Sequence, residues 1–240
     1  MIRLTITEKE RTTANLLYIQ STLSEILTSS GARVELSKGT NRGVLTIDCP
    51  KEYSEIIRSE VFDKIAEVIS VKYKYDFFCD KVKTTGLNPT EREILLTGLI
   101  AADFREDKKY AYSKLTGEEE VAIDGTFNFR MQPLKNKWKD VVEYVPLTFL
   151  PSQLKDFVVF LLENKKKRVY IDNGKVYDSH YRRLKRCSLL GGNAVNLVRE
   201  VLLSNCGEVE LCGKIPDADE FFIKEFFGDR VYFSLQSGRV

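Results

Sequence analysis

Arg168-Val169-Tyr170-Ile171-Asp172-Asn173-Gly174-Lys175-Val176-Tyr177 places alternating polar and apolar residues on both sides of an Asn-Gly pair. Asn-Gly supplies the positive φ angles of a type I′ turn, so this stretch predicts an antiparallel hairpin. Downstream, Val195, Leu197, Val198, Val201 and Leu202 mark a helix ending at Gly207, and Val209 to Cys212 reads as a strand. Asp217 with Glu220 opens a helix that stops at Gly228, and Val231 to Leu235 is the closing strand. A strand–helix–strand crossover of this length predicts a parallel pair, wound right-handed.

Upstream of the hairpin the pattern is helical. Ser152 is the expected cap of a helix bearing Leu154, Phe157, Val158, Leu161 and Leu162, and Pro133 opens another with Leu134, Trp138, Val141, Val142 and Val145 on one side. Asn88, Pro89 and Glu91 together form a capping-box start for a further helix, apolar on most faces from Ile94 to Phe104. Between these lie the acidic Gly117-Glu118-Glu119-Glu120 and a strand or turn, Val121 to Phe129. A long helix from Lys51 carries Tyr53, Ile56, Ile57, Val61, Ile65, Val68 and Ile69 as one stripe. Residues 2–7, 32–37 and 43–48 read as strands, the last two joined by the turn at Gly39-Thr40-Asn41. A helix between the first two ends with Gly31 at C′.

The fold class is therefore mixed α+β / α/β: an N-terminal βαββ unit with a long helix (1–85), a helical middle region (86–164), and a C-terminal α/β unit (165–240) holding the hairpin and the parallel βαβ pair.

Composition fits a globular chain, with 43% hydrophobic and 30% charged residues. Lysine plus arginine number 37 against 35 acidic residues, so any basic surface must be local. Five scattered cysteines without a C-x-x-C pair point to reduced thiols. The start of the chain lacks the apolar core of a signal peptide, and no apolar run is long enough to span a bilayer, so a cytoplasmic protein away from membranes is expected.

No catalytic constellation emerges. His180 is the single histidine, which disfavours zinc sites and Ser–His or Cys–His nucleophiles, and Cys206 and Cys212 lack a second close pair. Neither a P-loop nor a G-x-G-x-x-G motif occurs. Gly191-Gly192-Asn193 before a helix has the form of an anion cradle, but a Gly-Gly pair there more often simply turns the chain. With 35 acidic residues, carboxylate pairs are set by geometry and not by inspection. No cofactor and no metal are implied.

Two basic clusters remain, Lys165-Lys166-Lys167-Arg168 and Arg182-Arg183-Leu184-Lys185-Arg186. They bracket the hairpin and interleave with Tyr170, Tyr177 and Tyr181, so folding brings charge and aromatic rings together. Such a mixture suits phosphate contacts and base stacking. The plainer alternative is that the lysines close a helix and face water.

Val121-Ala122-Ile123-Asp124-Gly125-Thr126-Phe127-Asn128-Phe129-Arg130-Met131, leading into the Trp138 helix, resembles the acidic-Gly-Phe-x-x-Phe-Arg-Leu segment of the YtxC family of proteins assigned to sporulation. Phe226-Phe227-Gly228-Asp229-Arg230-Val231 is similar to the tail of that family, and element order agrees from about residue 55 onward. The resemblance implies a cytosolic protein of spore-forming Firmicutes without an established catalytic activity. It carries over no active-site residue and singles out only Arg130, whose simplest role is to pair with a carboxylate or cap carbonyls.

The expectation is thus a non-enzymatic accessory protein acting through protein partners. The candidate binding residues are Arg130, Lys166, Lys167, Arg168, Arg182 and Arg183. Nucleic-acid binding by the basic-flanked hairpin is the first alternative, and a carboxylate enzyme in the C-terminal α/β unit is the second.

Overall fold

A computed structural model describes residues 1–9, 13–39, 41–115, 119–192 and 194–234. Thr40 of the first turn, Gly117 and Glu118 of the acidic run, Asn193 of the Gly-Gly stretch and Leu235 of the last strand lie outside the described residues. The fold is mixed α/β with two mixed sheets. It forms two compact units, Met1–Lys74 with Arg105–Val141, and Tyr75–Phe104 with Val142–Val240. These interleave along the chain, because each switch between them falls inside a helix, at Lys74/Tyr75, Phe104/Arg105 and Val141/Val142.

In the first unit, β1 (Ile2–Glu8), α1 (Ala14–Ser29), β2 (Arg33–Lys38) and β3 (Gly43–Cys49) build the expected βαββ motif. Gly31 follows α1 with φ +67° as predicted. A short β4 (Glu120–Ala122) adds parallel to β1, giving the order β2-β3-β1-β4. Leu4 and Ile6 of β1 and Leu45 and Ile47 of β3 bury the inner face against Leu16, Ile19 and Leu23 of α1. Each such side chain contributes about 1.5–3 kcal/mol of hydrophobic stabilisation.

The helix expected from Lys51 starts as a 3-10 turn, becomes α2 (Ser54–Val68), and passes through a π-helical turn, Ile69–Tyr73, into α3 (Lys74–Lys81). Of its predicted stripe, Ile57, Val61, Ile65, Val68 and Ile69 are buried, whereas Tyr53 and Ile56 are exposed.

The stretch Val121–Phe129 departs from expectation. It is a strand only to Ala122, and Ile123–Arg130 is a helix, α5. The ladder with β1 ends at Thr7↔Ala122. Beyond it, Phe127 lies against Tyr73 (ring centroids 4.5 Å apart) and stacks on Trp138 (5.9 Å). Packing of these rings overrides the β preference of the local sequence. Trp138 is fully buried on α6 (Gln132–Tyr144), which Pro133 opens as predicted.

In the second unit, α4 (Pro89–Ser113) begins with a reciprocal capping box. The Glu91 N–H donates to Asn88 Oδ1, and the Asn88 N–H donates to a Glu91 carboxylate oxygen, both at 2.9 Å. Residues 94–100 of α4 are buried throughout, as its apolar composition required. Helix α7 (Pro151–Leu162) starts two residues earlier than expected. Pro151 takes the first helical position, and Leu150 precedes it with its N–H on Gln153 Oε1 (2.8 Å), so Ser152 is not the cap.

The second sheet has the order β6-β5-β7-β8, built from β5 (Arg168–Asp172), β6 (Lys175–Tyr177), β7 (Glu208–Cys212) and β8 (Val231–Ser234). Strands β5 and β6 form the predicted hairpin, with Asn173 at φ +48° and Gly174 at +68°. Strands β5, β7 and β8 run parallel, which includes the predicted β7–β8 pair around α9 (Asp217–Phe227). Helix α8 (Asn196–Ser204) ends at Asn205 in the left-handed region, before Gly207. Gly207 serves a different purpose: a Cβ there would stand 1.8 Å from the carbonyl oxygen of Lys165, so only glycine lets the chain approach β5 this closely.

Among the described residues, no helix is long and apolar enough to cross a membrane.

Candidate functional site

Strands with one buried face present alternate residues on the other. In β5, Val169 and Ile171 are buried, as are Val176 of β6 and Val209 and Leu211 of β7, and α8 and α9 pack in contact with these strands. The opposite face carries Arg168, Tyr170, Asp172, Lys175, Tyr177, Glu208, Glu210 and Tyr232, all partly or well exposed. Strand register sets these in rows. Tyr177 pairs with Tyr170, Tyr170 with Glu210, and Glu210 with Tyr232. An isolated antiparallel bridge from Tyr177 to Arg183 extends the row, so it reads Arg183–Tyr177–Tyr170–Glu210–Tyr232.

Tyr181 covers one end of this row. Its ring stacks on Tyr170 (4.9 Å, 20° between planes) and lies 6.4 Å from Tyr177, while about half its surface stays exposed. Asp178 shapes the loop that holds it. One carboxylate oxygen accepts the backbone N–H groups of His180 (2.8 Å) and Arg182 (3.0 Å), and the other accepts the Arg182 Nε–H (3.1 Å). Burial alone would raise the Asp178 carboxyl, but these hydrogen bonds and the Arg182 charge hold it below its ordinary range. The loop stays ionised and preformed at neutral pH. Tyr181 itself sits at φ +57°, where a large side chain is strained, so the surroundings impose this position.

The row beside the tyrosines is electrostatically closed. Arg168 donates to Glu208 through Nε (2.9 Å) and one terminal nitrogen (2.7 Å), reaches Glu210 at 3.3 Å, and lies 4.3 Å from the Tyr232 ring centroid.

The predicted binding residues fall into three situations. Arg168 and Arg182 sit on the tyrosine face or its loop, each committed to carboxylates of the fold. Lys166, Lys167 and Arg183 are exposed, and among the described residues no ion pair involves them. Arg183 stands in the row itself, as the bridge partner of Tyr177. Arg130 lies elsewhere, at the end of α5 in the first unit, where it donates to the Lys114 carbonyl (3.3 Å). It caps a backbone carbonyl, the simpler of its two expected roles.

The other sequence candidates resolve into structural parts. His180 is an exposed loop residue beside the Ser179 hydroxyl (3.4 Å). Gly191 and Gly192 both have positive φ, but the helix that follows is already capped: the Val198 N–H donates to the buried Asp219 carboxylate at 3.0 Å. Burial raises the Asp219 carboxyl, and its backbone hydrogen bonds recover only part of that cost. Glu200 likewise accepts the Cys187 N–H (2.6 Å). These buried carboxylates hold backbone. A depression beside Ala101, Leu161, Leu162 and Leu202 encloses about 30 Å³, the space of about one water. Among the described residues, no group of three or more His, Cys, Asp or Glu could hold a metal ion.

Two buried charge networks escaped the sequence. In the first unit, Asp107 accepts hydrogen bonds from Lys74 (2.8 Å), Lys137 (2.7 Å) and the Trp138 indole (2.8 Å), and both Lys74 and Asp107 are fully buried. In the second, the buried Arg199 meets Glu93 (3.0 Å) and the Gly191 carbonyl (2.8 Å), and Tyr75 donates to the same Glu93 (2.5 Å). Their members come from separate elements, so no local spacing announced them. Tyr232 was missed for the same reason, since only the β7–β8 register carries it beside Glu210.

No family model matches the chain, and neither a curated protein nor a solved structure matches it.

Proposed function

We propose that this chain is a non-enzymatic, cytosolic accessory protein that works by docking a partner protein on the tyrosine face of its second sheet. The observation that carries this reading is the row Arg183–Tyr177–Tyr170–Glu210–Tyr232 with Tyr181 stacked on it. Parallel sheets are ordinarily covered on both faces, so a partly exposed face on a mainly parallel sheet is a surface to be covered. Tyrosine and arginine are the side chains that dominate protein–protein hot spots, and here they are rigidly placed before any partner arrives.

Nucleic acid is the weaker reading of the same face. Glu210 stands within the row and Glu208 beside it, so a phosphate backbone crossing the sheet would run over carboxylates. The resemblance of residues 121–131 and 226–231 to the YtxC family supports spore formation as the setting.

The test is complementation. In a deletion strain, Tyr170→Ser with Tyr181→Ser should fail to restore function while accumulating to wild-type levels. Full rescue by that variant would show that the face is not how the protein acts, and a deletion that sporulates normally would remove the proposed setting.

A further inference from the structure

Resting on the reading of the tyrosine face as a docking surface, we infer that the partner presents an acidic peptide segment to it. The inference comes from separating spent charge from available charge. Arg168 is satisfied by Glu208 and Glu210, and Arg182 by Asp178, so these five charged groups are committed to one another and offer little to a ligand. Lys166, Lys167, Lys175 and Arg183 are exposed, and among the described residues none of them forms an ion pair. Asp172, which pairs with Lys175 in register, is the one acid of the β5–β6 hairpin without a described ion pair. The uncommitted charge in and around the hairpin is therefore positive, although the whole chain is nearly neutral.

Geometry narrows the ligand further. Arg183 is the bridge partner of Tyr177, so it stands at the end of the row of rings, about one strand spacing of 4.8 Å from Tyr177. An arginine at that place can grip a carboxylate in bidentate fashion while the neighbouring residues of the ligand lie on Tyr177 and Tyr181. A peptide sets its charges singly and can place apolar or aromatic residues between them. A polynucleotide carries a phosphate at every residue, and that continuous charge would meet Glu208 and Glu210.

The experiment is fluorescence anisotropy with three labelled probes, a Glu–Tyr copolymer, poly-Lys and oligo(rU), at low and at physiological salt. The expected result is salt-sensitive binding of the Glu–Tyr copolymer and none of poly-Lys. Lys166→Ala, Lys167→Ala and Arg183→Ala combined should weaken that binding by about tenfold or more, as should Tyr181→Ala alone. The three charged side chains are exposed and unpaired among the described residues, so their removal leaves the fold intact, which thermal unfolding verifies. Copolymer binding that ignores these substitutions, or no copolymer binding, overturns the inference. Oligo(rU) binding lost in the same variants also overturns it while keeping the face as a docking surface. Failure of the docking reading itself shows separately, as rescue by the tyrosine variants in the complementation assay.

Discussion

Replacing Asp107 tests whether the first unit is held by its buried charge network. Asp107→Asn keeps the shape of the side chain but leaves the fully buried Lys74 ammonium without its counter-charge. Removing one partner of a buried ion pair costs about 3–5 kcal/mol. With a urea m value of about 1.5 kcal/mol per molar, the midpoint should fall by about 2–3 M. The chain has a single tryptophan, and it is the Trp138 that donates to Asp107, so indole fluorescence reports this site directly. Lys137 is a weaker member because its side chain is 41% exposed, and Lys137→Ala should cost about 1 kcal/mol or less. The double variant Lys74→Met with Asp107→Leu should recover most of the loss, since apolar residues often replace a buried pair without penalty. Acid gives a second readout. Burial works to raise the Asp107 carboxyl, but the Lys74 charge and the hydrogen bonds from Lys137, Lys74 and Trp138 outweigh it and depress the pKa. A depressed acid stabilises above its unfolded pKa, about 3.9, and loses that contribution as pH falls through the folded value. Wild type should therefore lose stability below about pH 4 more steeply than the double variant. An Asp107→Asn cost under about 1 kcal/mol, or a double variant as unstable as the sum of the singles, would refute this reasoning.

Three further outcomes follow from named contacts. Gly207→Ala should prevent normal folding of the second unit, because its Cβ would stand 1.8 Å from a backbone oxygen, whereas Gly174→Ala, strained but spacious, should cost about 1–2 kcal/mol in thermal unfolding. Asn88→Ala should destabilise by about 1 kcal/mol by removing half of the α4 capping box, measured by chemical denaturation. Burial pushes the Cys187 thiol up to about 12 and the Cys206 thiol up to about 11, so at pH 8 both should resist a thiol-specific disulfide reagent in the native protein and react promptly in denaturant.

What the sequence reveals divides by distance along the chain. The hairpin is legible because Asn173-Gly174 specifies its turn locally, and the start of α4 because Asn88 and Glu91 complete each other within one turn. The β7–α9–β8 crossover is legible from its length. Helix α5 is not, because Phe127, which helps 121–129 look strand-like, packs against Tyr73 and Trp138, which its own pattern does not encode. The site divides in the same way. That the two basic clusters flank one hairpin is legible from the local sequence. The neutralisation of Arg168 depends on the parallel β5–β7 register, which brings it opposite Glu208 across 40 residues of chain.

The most direct test of the tyrosine face as the working surface is site-specific photo-crosslinking in the native cell. A benzophenone side chain is placed at Tyr177 or Tyr232, and, as a control, at Thr46 on the first sheet. Both face positions should yield the same protein adduct, which Thr46 should not form and which Arg183→Glu should abolish. Equal adducts from Thr46, or none from either tyrosine position, would contradict the proposal.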